Sequence, residues 1–144
     1  MQFDYEPAIR VVAVTNDEYD AVLFEEIADS LNGIISLTVC RNTQDAASAA
    51  NQRALPQLIL LASKAGHTPD PQLQFVKCQK LLRSVPVIVL TTSAQAEDVQ
   101  SWYGDGAACV VQRPSERAAD MNALEACLAF WTKSALLPYR EKRY

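Results

Sequence analysis

The sequence predicts a doubly wound α/β sandwich, a five-stranded parallel sheet with helices on both faces. Three observations predict it. Leu58-Ile59-Leu60-Leu61-Ala62 is a short, wholly apolar run that follows Pro56 and leads into Gly66 and Pro69. It has no room for a helix and no polar alternation, so both its faces should be covered. Strand-like and helix-like segments then alternate five times along the chain, with strands too apolar to face water. Parallel neighbours joined by right-handed helical crossovers are the stable way to bury such strands.

Ala8 to Val14 follows Pro7, is rich in β-branched residues and predicts the first strand. Thr15-Asn16-Asp17 caps a helix in which Val22, Leu23, Ile27 and Leu31 recur at helical spacing, with acids at its N-terminal end where they suit the dipole. Gly33 ends it. Ile34 to Cys40 is a second strand, and Asn42 or Thr43 caps an alanine-rich helix running to about Arg53. The Leu58–Ala62 strand comes third, followed by a helix from Asp70 to about Arg83. Pro86 to Thr91 is the fourth strand, with a helix from about Ala94 to Tyr103 behind it. Ala107 to Gln112 is the fifth. A last helix from Ser115 to about Ser134 places Met121, Leu124, Leu128 and Trp131 on one stripe.

With 144 residues, 49% of them hydrophobic and 21% charged, the chain has the balance of one globular domain, its core spanning about residues 8–133 and its tail 134–144. No apolar run approaches the ~20 residues that cross a bilayer, and the start carries Asp4 and Glu6 rather than bases before an apolar stretch. A cytoplasmic protein with no membrane association is expected. The net charge is −4; three bases against Glu141 give the last residues +2, which leaves −6 for the rest. An acidic body of this kind is not expected to bind nucleic acid. Cys40, Cys78, Cys109 and Cys127 are scattered through apolar segments without a metal-knuckle spacing and read as buried free thiols.

Several strings resemble the receiver domain of a two-component response regulator, from about Ile9 to Pro138. Pro56 to Leu61 resembles the strand that leads to the phosphoacceptor. Val85 to Ser93 resembles the fourth strand with its switch hydroxyl, and Gly106 to Pro114 the fifth strand with its basic residue before proline. Glu97-Asp98-Val99 with Tyr103, then Phe130-Trp131 and Leu137-Pro138, are similar to the small stand-alone regulators that partner bacterial, notably cyanobacterial, phytochromes. The resemblance implies a (βα)5, flavodoxin-like fold with strand order 2-1-3-4-5 and a role in phosphorelay signal transduction, with a sensor kinase or downstream protein as partner.

Receiver chemistry uses an aspartate at the end of the third strand, an acidic pair after the first strand for Mg²⁺, a hydroxyl and a Lys. The metal neutralises the transferring phosphoryl group, so an acceptor carboxylate without that pair has little electrophilic help. Here the acceptor position is Ala62, which has no oxygen to acylate. The acidic pair aligns with Thr15 and Asn16, leaving Asp17 one residue later; the hydroxyl is kept as Thr91 and the Lys is replaced by Arg113. No metal and no cofactor are expected, because a hard cation wants several carboxylate or carbonyl oxygens. Two readings of Arg113 stay open: an ion pair with Asp17 in the former phosphoryl space, or a side chain pointing to solvent. By family habit the Arg113-Pro114 bond would be cis.

His67 and Ser63 lie in or beside the loop after the third strand, with no elbow motif or acid to build a nucleophile around them. The last helix carries a second apolar stripe, Ala123, Cys127 and Phe130, and the tail adds Leu136, Leu137, Pro138 and Tyr139. That surplus predicts a partner or homodimer face of Trp102, Tyr103, Cys127, Phe130, Trp131, Leu137 and Pro138. The function predicted is thus a degenerate, non-enzymatic receiver working by protein contacts. The alternative is a small-anion or cofactor binder, or an enzyme, in the vacated pocket around Thr15, Asn16, Asp17, Thr91 and Arg113.

Overall fold

A computed structural model of the chain describes residues 7–50, 55–63, 70–92 and 94–139. Five parallel strands, β1 (Ile9–Val14), β2 (Ile35–Cys40), β3 (Leu58–Ser63), β4 (Val87–Thr91) and β5 (Cys109–Gln112), form one sheet in the order β2-β1-β3-β4-β5. The helices between and after them are α1 (Glu18–Ser30), α2 (Thr43–Ala49), α3 (Asp70–Cys78), α4 (Ala96–Gly104) and α5 (Arg117–Ala129). The predicted fold class and strand order are those observed.

The apolar strands explain the layers. In β3, Leu58 and Leu60 point into a core with Leu23, Phe24 and Ile27 of α1 and Leu124 and Leu128 of α5. Ile59 and Leu61 point the other way, among Leu73 and Val76 of α3 and Trp102 of α4. Alternation of side chains along a doubly covered strand produces this division. The register Ala13↔Leu60, Leu60↔Ile88 and Ala62↔Leu90 aligns the carboxyl ends of β1, β3 and β4.

Boundaries differ from the predicted ones where a local hydrogen bond or a packed residue decides them. Asp17 alone caps α1, its carboxylate accepting from the N–H groups of Tyr19 and Asp20. The chain leaves α1 through two left-handed residues, Asn32 (φ 55°) and Gly33 (φ 84°). Helix α2 stops at Ala49, and the predicted extension to Arg53 falls outside the described residues. Helix α3 stops at Cys78, and turns carry Leu82 and Val85 back onto the sheet, where both are buried. At the far end α5 widens into a π-helical turn, Phe130–Ser134, closed by the Ala135 N–H donating to the Phe130 carbonyl.

Candidate functional site

The carboxyl ends of the strands carry the site positions. Ala62, near the end of β3, is half-buried and packs against the core shared by α1 and α5. Thr15 follows β1; its hydroxyl accepts from the Asp17 N–H at 3.1 Å and is buried. Asn16 is exposed. Asp17 is committed to capping α1. Thr91 ends β4, fully buried, and its carbonyl accepts from the Arg113 N–H at 2.7 Å, which ties the end of β5 to the end of β4.

Arg113 does not turn to solvent, and its acid partners are not the expected one. Its side chain is buried, 6% exposed, with its guanidinium carbon 6.0 Å from the centre of the Phe24 ring. Nε and Nη2 donate to the two carboxylate oxygens of Asp120 at 3.0 and 2.8 Å, and Nη2 donates to Asp20 at 2.9 Å. The planar fork of a guanidinium matches a carboxylate in this two-point manner, as an ammonium cannot. Burial by itself would lower the Arg113 pKa, and the bonds to Asp120 and Asp20 more than reverse that, so the group stays charged. The Arg113-Pro114 bond is trans, since no peptide among the described residues is cis.

Asp20 and Asp120 were missed in the sequence, although a signal existed. Asp20 stands on the stripe of Phe24 and Ile27, and Asp120 on the stripe of Leu124 and Leu128. An acid at the head of a core-facing stripe needs a buried cation, and Arg113, the base that follows β5, is the one the topology supplies. Asp20 comes from α1, Arg113 from the residue after β5 and Asp120 from α5, so they lock both helices to the sheet end.

The donors do not fit a metal. The Ala62 side chain has no oxygen, the Thr15 hydroxyl accepts from the Asp17 N–H, and among the described residues no three His, Cys, Asp or Glu side chains form a group able to hold an ion. His67 lies outside the described residues, as does the Ser63 side chain.

The predicted partner face divides. Trp102 is buried, 3% exposed, and its indole N–H has no acceptor among the described residues; Leu137 is buried, 8% exposed, in the core beneath α5. Both are therefore interior residues rather than interface anchors: the tail folds back far enough to spend Leu137 on its own core. Trp131 and Cys127 are half-buried against that core, and Pro138 is half-buried. Phe130, Leu136, Tyr139 and Tyr103 remain exposed, with Phe130 edge-on to Trp131 at 5.5 Å. Tyr103 also accepts the Val110 N–H at 3.0 Å through its hydroxyl, which covers part of the outer edge of β5. No helix among the described residues is long and apolar enough to cross a membrane.

No protein-family model matches this chain, and no curated protein matches it in sequence. Solved structures do. The phosphorylated cyanobacterial phytochrome response regulator RcpA superposes with a TM-score of 0.78 at 21% identity, over 91% of this chain and 99% of its own. The Mn²⁺-bound form of response regulator Rcp1 gives 0.76 at 24% identity, covering 90% of this chain and 99% of that one. A response regulator receiver domain from Rhodospirillum rubrum gives 0.72 at 19% identity, covering 93% and 100%. At these identities the likeness is one of architecture: the chain has the fold of the response regulator receiver domains.

Proposed function

We propose that this chain is a receiver-like signalling module of a two-component pathway that takes no phosphoryl group at the end of β3 and acts through protein contacts. The observation that carries the reading is the fate of the strand-end cation. In a working receiver the base would be held for the incoming phosphoryl group; here Arg113 is already bound by Asp20 and Asp120, and the residue at the acceptor position is Ala62. The same engagement weighs against the small-anion alternative, because two carboxylates already balance the guanidinium charge and take three of its five N–H donors.

Output then depends on surface rather than on modification. Phe130, Leu136 and Tyr139 supply the exposed apolar residues at the end of α5 and in the tail, and Tyr103 a further one on α4. A partner from the same pathway is proposed to dock at the tail. With Trp102 and Leu137 inside, the expected homodimer through the C-terminal helices loses two of its anchors, and a heterologous partner is the better occupant.

Incubation with Mg²⁺ and acetyl phosphate, or with beryllium fluoride, is expected to leave the mass, the tryptophan fluorescence and the association state unchanged. A stoichiometric phosphoryl adduct would overturn the proposal.

A further inference from the structure

We infer that β2 is a docking edge for a second copy of this chain, joined antiparallel about a two-fold axis through Leu37. The inference is independent of the phosphate reading and uses the opposite edge of the sheet from β5. It rests on three features of β2.

The first is an open ladder. The Ile9 N–H donates to the Ile34 carbonyl and the Thr15 N–H to the Cys40 carbonyl, both at 2.9 Å, so the even-numbered residues of β2 face β1. By alternation the N–H and C=O groups of Ile35, Leu37 and Val39 face away from the sheet. None of the described hydrogen bonds reaches them. The other edge is treated differently, since Tyr103 on α4 covers the outward N–H of Val110.

The second feature is the absence of any guard. Sheets blunt their free edges with charge, proline or a bulge. Ile35-Ser36-Leu37-Thr38-Val39-Cys40 carries none of these side chains and pairs with β1 in unbroken register over its full length.

The third is self-complementarity, which selects the occupant. With Leu37 on the axis, Ile35 meets Val39 of the second copy and Leu37 meets its own equivalent, each pair exchanging two backbone bonds. These side chains lie on the α1 face, where Leu37 and Val39 already pack partly on the core. Ser36 meets Thr38 on the other face, where both are exposed. Apolar thus faces apolar and hydroxyl faces hydroxyl, the pairings that support a sheet. Arg41 falls opposite Gly33, which has nothing within 4 Å of where a side chain would begin. A ladder this short makes a weak, isologous dimer, with a dissociation constant of about 10 μM to 1 mM.

The test uses exposed positions, so folding is not at stake. Ser36→Glu with Thr38→Glu sets like charges opposite one another across the axis, whereas Ser36→Glu with Thr38→Lys sets opposite charges there. Sedimentation of the full chain up to about 1 mM should show a dimer for the unmodified protein. The first double variant should associate at least tenfold more weakly, and the second should restore the dimer. The amides of Leu37 and Val39 should exchange more slowly as concentration rises. A protein that stays monomeric throughout, or a dimer indifferent to both double variants, would overturn the assignment.

Discussion

Arg113 and Asp120 meet through two bonds, Nε to one carboxylate oxygen at 3.0 Å and Nη2 to the other at 2.8 Å, seven residues apart in sequence and both almost wholly buried. Asp20, from the other end of the chain, closes the group at 2.9 Å. One buried cation is thus shared between two carboxylates at the carboxyl end of the sheet. The elements that hold this group, α1, β5 and α5, also hold the principal core, so removing its charge acts on the fold as well as on the site.

Arg113→Met is expected to destabilise the fold by about 3–5 kcal/mol, because it leaves two carboxylates buried and facing each other. Adding Asp20→Asn and Asp120→Asn to that variant should recover most of the loss, since the uncompensated charge rather than the missing bonds is the larger cost. Urea unfolding midpoints at constant slope measure both steps. A loss below about 1 kcal/mol for Arg113→Met would mean that water already screens the group.

Leu136 and Leu137 are neighbours with opposite fates, 95% and 8% exposed. Leu137→Ala should cost about 2–4 kcal/mol through the cavity it leaves in the α1/α5 core. Leu136→Ala should stay within about 0.5 kcal/mol. If the tail is a partner surface, Leu136→Ala together with Phe130→Ala weakens partner capture while thermal unfolding is unchanged. Equal stability losses at 136 and 137 would show that the tail packs differently.

The sheet was legible because its strands are short, apolar and bounded by prolines and glycines, which leaves one architecture that covers both faces. Leu58 to Leu61 illustrate it: the residues divide between the two cores as alternation requires. The place of Ala62 near the carboxyl end of β3 was legible for the same reason, since the strand that carries it is unmistakable. The ion group was not. Asp20 was overlooked beside Glu18 as a first-turn acid suited to the dipole, although its place on the stripe of Phe24 and Ile27 turns it inward, while Asp17 caps the helix. The tail failed similarly, because an apolar run beyond the last helix does not say which of its residues the core will accept.

Trp102→Phe is expected to change stability by less than about 1 kcal/mol in either direction. The indole N–H is buried without an acceptor among the described residues, a state that costs about 1–3 kcal/mol and that phenylalanine abolishes. The smaller ring leaves a gap in the α3/α4 core, and the two effects oppose each other. Thermal unfolding of the variant measures the balance. A loss above about 3 kcal/mol, the size of a full truncation, would show that the indole packs too tightly for its orphan donor to matter.

Stability should fall in alkaline solution through Cys127. Burial pushes this thiol up to about 11 from an ordinary value of 9.0, with the charge of neighbouring Cys109 adding to it. Below pH 9 the thiol is protonated whether the chain is folded or not, and it contributes no pH dependence. Between about 9 and 11 the unfolded chain releases the proton while the folded one keeps it, so the unfolded state gains and stability declines as pH rises. Above 11 both states are ionised and the loss levels off. The upper size of the effect is about 3 kcal/mol, at about 1.4 kcal/mol for each unit of difference. Cys127→Ala loses some packing at every pH, but the stability difference between it and the unmodified protein should narrow from pH 9 to 11, as only the latter carries the slope. Parallel pH profiles for the two proteins would place the Cys127 thiol in water rather than against α5 and β5.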